Sequence, residues 1–427
     1  MNWKHRHIII GICLLLCGLS GFVACTDESP ELPREEEGAP ISLTFQADVA
    51  GASTRGAEPA ADDRVERLRI VIVSKAAEGG TGSNPAGAEW KVEHNALFTS
   101  VGPQRPLEYT FEVAANSLKR VYLIANENGL VDAGGQPLDF SDGKFIPDAM
   151  GKAPVDDYVF DVSSPGYSYN PIALPMTALY EINVPPLEQI KNGGFAWPNP
   201  LYLVRAATKF SFEFTNRSTR KAVTVTGIDI NRVITDRMYL MPHVNKNSED
   251  KYWVVEETET DGNVTYTENP IADWVDWMGQ EAADSERGTD NEWLTDYEVP
   301  NDATTEIAKV SFTSQSMPAA TGTEPYPFTE AHDAIYLPES KTVKDESDPS
   351  LKDLQLQEYS ITVHTKEQAT DGTEKEKTYP PQTLPHLASL FRNTHVMVGF
   401  IFTDHDIACE VDVIPYSEVI LEPDFGL

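Results

Sequence analysis

Two residues near the start of the chain are placed to undergo covalent chemistry. Cys25 closes the stretch Leu19-Ser20-Gly21-Phe22-Val23-Ala24-Cys25. A small residue, Ala24, before a cysteine has the form of a bacterial lipoprotein cleavage box, with Phe22 where leucine is usual. The Cys25 thiol would then carry acyl chains and hold the chain on a bilayer. Arg55 lies in Thr54-Arg55-Gly56, among small residues that suit an exposed, cuttable loop. Elsewhere the signals for chemistry are weak. The nine histidines are scattered, with no His-Glu-x-x-His and no paired cysteine ligands, so no metal is expected. Asp404-His405-Asp406 reads as a hydrated turn between strands, and no Gly-x-Ser-x-Gly elbow or phosphate-cradling loop is present. No cofactor and no enzymatic activity are expected.

Between those two residues lies one strand. Residues 41–49 alternate without a break, and Ile41, Leu43, Phe45, Ala47 and Val49 share one face under strict period two. Before Cys25, residues 1–24 read as a signal peptide. Lys4 to His7 make a basic head, and the apolar run 8–19 is too short to span a membrane. Residues 25–40 carry Asp27, Glu28, Glu31 and Glu35 to Glu37 with Pro30 and Pro33, an extended acidic tether. The chain has 427 residues and a net charge of −34, which argues against nucleic acid as a partner, since phosphate binding needs clustered Lys and Arg. Of four cysteines, Cys13 and Cys17 fall in the signal peptide and Cys25 at its end. Cys409 alone remains, so packing rather than a disulfide must stabilise the fold.

The rest of the chain reads as strands separated by turn-rich loops: an all-β fold. Residues 41–190 form a first sandwich, with 107–113 alternating cleanly and 121–126 apolar throughout. The Pro- and Gly-rich stretch 185–200 reads as a linker, and 200–427 as a second sandwich opening with the strand region 201–214. Insertions near 243–300 and 339–352 interrupt it. In the first, Ile271, Trp274, Val275 and Met278 fall on one face of a short helix. Trp274, Trp277 and Trp293 there read as anchors for the insertion, or as a sugar-stacking platform.

Several stretches, in this order, resemble the fimbrillin family, the type V pilins of Bacteroidetes. They are the lipoprotein start with its strand ending in Thr54-Arg55, then Asp62 to Ile70, Val121 to Asn126, and Leu174-Pro175-Met176-Thr177. Val204 to Lys209, Phe391-Arg392-Asn393-Thr394-His395, and Val411 to Tyr416 follow. Thr208 stands where alanine is usual, and the insertion at 243–300 has no counterpart. The resemblance implies two transthyretin-like Greek-key β-sandwiches in series and a role in assembly. The precursor would travel as a lipoprotein, its acidic tether resembling signals that route such chains to the outer face of the outer membrane. An arginine-specific protease would cut after Arg55, with Arg64 as runner-up, and remove residues 41–55. A strand from a neighbouring subunit would fill the groove.

The end of the chain supplies a donor. Residues 407–414 are expected to stay in the second sandwich, leaving 416–427, with Tyr416, Val419, Leu421 and Phe425, available to a neighbour. The implied partners are other copies of the chain, other pilus subunits, the outer membrane through lipid, and a receptor on a host or bacterial surface. Two other readings stay open: an anchor subunit that keeps its lipid and first strand, and a glycan-binding surface lipoprotein.

Overall fold

The computed structural model describes residues 40–49, 64–76, 89–101, 106–148, 151–164, 173–242, 257–260, 263–266, 306–321, 328–341, 359–384, 389–390 and 392–415. Among them the regular structure is strand, with single turns of 3-10 helix between. The first nine strands are β1 (Pro40–Val49), β2 (Leu68–Ala76), β3 (Lys91–Phe98), β4 (Leu107–Ala114), β5 (Ser117–Ala125), β6 (Val159–Asp161), β7 (Met176–Val184), β8 (Gly194–Ala196) and β9 (Leu201–Arg205). All but β6 join one curled sheet in the order β3-β2-β5-β7-β9-β1-β4, with β8 added beside β1. The sheet folds back on itself. Ile41, Leu43 and Phe45 from one half and Ile70, Leu123 and Ile182 from the other share one buried core.

The second sandwich begins with β10 (Thr208–Asn216) and β11 (Lys221–Val233). The short strands β12 (Arg237–Tyr239), β13 (Glu257–Thr260) and β14 (Asn263–Tyr266) come next, then β15 (Glu306–Ser311) and β16 (Phe328–Leu337). β17 (Ser340–Lys341), β18 (Ser360–Ala369), β19 (Glu374–Thr378), β20 (Gln382–Thr383), β21 (Ser389–Leu390), β22 (Thr394–Phe402) and β23 (Ile407–Pro415) complete the series. One sheet runs β16-β10-β22-β23 and the other β15-β11-β18-β19. Phe210, Phe212 and Phe214 alternate on β10, as do Val396, Val398, Phe400 and Phe402 on β22, and both rows point into the shared core. Gly227, at a bulge in β11, has no room for a side chain. A Cβ there would stand 2.7 Å from Val310 O. The class is therefore all-β, with two sandwiches in series.

The boundary between the sandwiches differs from the one composition suggests. Residues 185–200, read as a linker, supply β8, which pairs in parallel with Ser42 to Thr44 of β1, and Trp197 N–H donates to Thr44 O at 2.7 Å. Residues 201–214, read as one opening region, divide instead. β9 pairs with β1 and β7 in the first sheet, while β10 belongs to the second sandwich. The chain crosses at Ala206-Ala207, both fully buried. A later segment returns: β12 pairs with β6, and Met238 and Leu240 enter the first core. Strand propensity marks such segments as β but carries no information about which sheet accepts them. The expected helix at 271–278 lies outside the described residues, as do residues 342–352 of the second insertion, whose first residues supply the buried Glu339 and β17.

Candidate functional site: the seat of the first strand

β1 forms where the alternation places it, and each of its five apolar side chains is buried: Ile41, Leu43, Phe45, Ala47 and Val49 are 0–2% exposed. Pro40, which has no N–H to donate, sits at the strand's first position, where a ladder tolerates it. On one side β1 pairs antiparallel with β4 from Pro40↔Ala114 to Ala47↔Leu107. On the other side it meets β8 and then β9, both parallel. It is an interior strand, and β1 is the only ladder partner of β4 among the described strands.

The groove that β1 fills has a distinct shape at each rung. Phe45 stacks on Phe111 with ring centroids 5.9 Å apart and lies 6.3 Å from Tyr109. On the opposite face Thr44 and Thr110 hydroxyls meet at 2.9 Å, a cross-strand pair of the kind that favours one register. Asp48 is 5% exposed on that face, and its Oδ1 accepts Val49 N–H at 2.8 Å. Burying the five apolar side chains contributes roughly 7–12 kcal/mol gross, allowing for the small Ala47.

Arg64, the runner-up cleavage residue, is exposed, yet the backbone around it is tied down. Its carbonyl oxygen accepts from Asn126 Nδ2 at 2.9 Å, and the next residue, Val65, is 2% exposed. Cys25, Arg55, the Trp274 platform and residues 416–427, with Tyr416, Val419, Leu421 and Phe425, lie outside the described residues. β23 pairs with β22 along its whole length, from Phe402↔Ile407 to Thr394↔Pro415. Cys409 on β23 is half-buried against the second core, and burial pushes its thiol pKa up to about 11. Asp404 accepts from Ser218 Oγ and Thr219 N–H at 2.8 Å each, so it fixes a neighbouring turn. No group of three His, Cys, Asp or Glu able to hold a metal ion occurs among the described residues.

The stretches singled out in the sequence touch one another. Asn126, in the left-handed region at φ 57°, takes Glu66 N–H on its Oδ1 and donates Nδ2 to Arg64 O and Leu174 O. Ala206 N–H donates to Pro175 O. Asn393 N–H donates to Ala207 O, and Arg205 Nη1 donates to Asn393 Oδ1 at 2.8 Å. Sequence order alone could not show this chain of contacts, because its members stand 31 to 188 residues apart.

Sequence reasoning does not find one buried ion pair and one buried carboxyl. Arg392 donates Nε and Nη2 to Glu339 at 2.9 and 2.7 Å, and its other donors reach the carbonyls of Tyr239, Leu240 and Met241. Both side chains of this pair are 0% exposed, so each needs the other. Asp156 lies under the outer face of the first sheet, 3% exposed. Burial pushes its pKa up to about 6, against the pull of Ala153 N–H and the Arg120 guanidinium.

No protein-family model and no curated protein matches the chain. It is similar to solved structures. One is a candidate cell adhesion protein from Parabacteroides distasonis, at 11% identity and TM-score 0.44, covering 90% of this chain and 99% of that one. Another is the tip fimbrial protein from Porphyromonas gingivalis with a C-terminal truncation, at 10% identity and TM-score 0.36, covering 88% and 100%. A third is the fimbrial anchor protein from the same organism, at 9% identity and TM-score 0.31, covering 88% and 99%. All three are loose likenesses.

Proposed function

We propose that the chain is a structural subunit of a surface fibre, built by exchanging β1 for a strand of a neighbouring subunit. The observation that carries this reading is the seat of β1. A strand at the N-terminal side of a cuttable Thr54-Arg55-Gly56 segment occupies an interior position and fills a groove with five apolar side chains. Its withdrawal would expose two rows of backbone donors and acceptors and the pockets of those side chains. Such a surface is strongly disposed to accept another strand.

In this reading Cys25 carries lipid and delivers the precursor to the outer membrane, and cleavage after Arg55 releases residues 41–55. Arg64 is the poorer cleavage residue, because its own carbonyl is held by Asn126. The incoming strand is residues 416–427 of the next copy or of another pilus subunit, with Tyr416, Val419, Leu421 and Phe425 as anchors. β23 supports that division, since its full-length pairing with β22 fills a place within its own sandwich. The assembled fibre stands on the cell surface and serves adhesion to a host or bacterial partner.

Deleting residues 416–427 tests the reading. The truncated chain is expected to be exported and folded, with the circular dichroism of the parent, and to form no fibres by negative-stain electron microscopy. Normal fibres from the truncated chain would contradict it.

A further inference from the structure

The groove can accept a new strand only if its walls stay in place when β1 leaves. One wall, β8 and β9, is continuous with the rest of the sheet through the pairing of β9 with β7. The other wall, β4, has no such support. Among the described strands its ladder runs to β1 alone, and it follows into β5 through a tight turn at Asn116, where φ is 49°. Across its outer edge stands β3, the last strand at the other end of the curled sheet, with no ladder between them.

What joins β3 to β4 is a set of side chains directed there by a β-bulge. The pairing of β2 with β3 slips by one residue, from Ile72↔His94 to Val73↔Val92, which leaves Glu93 as the extra residue. In a regular strand neighbouring residues point to opposite faces, but a bulge re-aims them. Here both Glu93 and His94 reach β4. Glu93 Oε1 accepts Ala114 N–H at 3.2 Å, and its Oε2 accepts from Lys119 Nζ at 2.8 Å. Lys119 is completely buried, so Glu93 is held from behind. His94 Nε2 donates to Glu112 O at 2.5 Å while its ring lies 5.0 Å from Phe111. The side chains therefore hold two backbone groups, Glu112 O and Ala114 N–H, that the ladder with β1 leaves over. Phe98 against Tyr109, at 4.8 Å, closes the far end of the seam.

We propose that Glu93 and His94 are positioning residues for strand replacement: they clasp β4 to β3, so that the groove keeps both walls and its register while β1 is absent. The inference rests on the reading of β1 as a replaceable strand. It adds a requirement on residues of β3, which among the described strands shares no ladder with β1.

The test uses the full chain with a specific protease site placed between β1 and β2, cut so that β1 stays seated without its covalent link. A fluorescent peptide with the sequence of residues 40–49 is then added in excess, and its capture is followed by anisotropy. The wild-type chain is expected to exchange its own β1 for the peptide. His94→Ala, and Glu93→Leu combined with Lys119→Met so that no buried charge is orphaned, are each expected to weaken capture about tenfold. Hydrogen exchange of the β4 amides, Ala114 aside because Glu93 holds it directly, is expected to match wild type before the cut and to rise in the variants only after β1 is displaced. A purely structural role would raise it in the uncut chain as well, and that result would overturn the proposal. Capture by the variants equal to wild type would remove the clasp alone. Failure of the wild-type chain to capture the peptide would remove the replaceable strand and the clasp with it. Should the double variant not fold, His94→Ala leaves the Glu93–Lys119 pair intact and carries the same comparison.

Discussion

The first and last described strands make opposite use of similar sequences. β1 and β23 both alternate apolar and polar residues, and each contributes an apolar row to a core. β1 is interior, flanked by β4 on one side and by β8 and β9 on the other, whereas among the described strands β23 is an edge strand paired with β22 alone. Loss of β23 would leave β22 paired with β10 in an otherwise complete sheet. Loss of β1 would strip β4 of its ladder and open the core between two walls. The difference shows where the fold concentrates its dependence on one segment, and it lies in sheet position rather than in hydrophobicity.

The comparison breaks most directly at Phe45. Phe45→Ala removes a ring that is 1% exposed and stacked on Phe111, and is expected to destabilise the first sandwich by about 3–5 kcal/mol. Cys409→Ser on β23 changes a half-buried side chain at the sheet edge, and is expected to cost under about 1 kcal/mol in the second sandwich. Urea denaturation followed by tryptophan fluorescence and circular dichroism checks both. Equal effects would erase the distinction between the strands.

A smaller effect sharpens the comparison through pH. The folded-state pKa of Asp156, about 6, lies above the ordinary carboxylate value, so between about pH 4 and 6 the folded state binds more protons than the unfolded. This contribution therefore favours folding below that window and is lost as pH rises through it. The loss is on the order of 2–3 kcal/mol at most. Asp156→Asn keeps an acceptor for Ala153 N–H and is expected to flatten stability of the first sandwich across pH 4–6, with the second sandwich unaffected. An unchanged pH profile in the variant would assign the dependence to other groups.

The sequence made the strands themselves legible and their partners much less so. Residues 41–49 and 107–113 announce themselves by strict alternation, and both pair as strands with the apolar face inward. β8 is only three residues long in a Pro- and Gly-rich stretch, too short for any periodicity to register. Ala206-Ala207 look unremarkable between two apolar strands, yet the chain changes sandwich there. Arg392 and Glu339 could not be read as a buried pair, because nothing local distinguishes a charge destined for a core from one left in water. Asn126 had a faint local signal, an Asn ending an apolar run where a left-handed residue is tolerated.

The central claim is that β1 is a temporary occupant of its groove. N-terminal sequencing of the protein recovered from surface fibres tests it most directly. The account predicts a chain beginning at Gly56, with residues 41–55 absent and the groove filled from a neighbour. A surface protein beginning at acylated Cys25, with β1 still attached, would contradict it and describe an anchor that keeps its first strand.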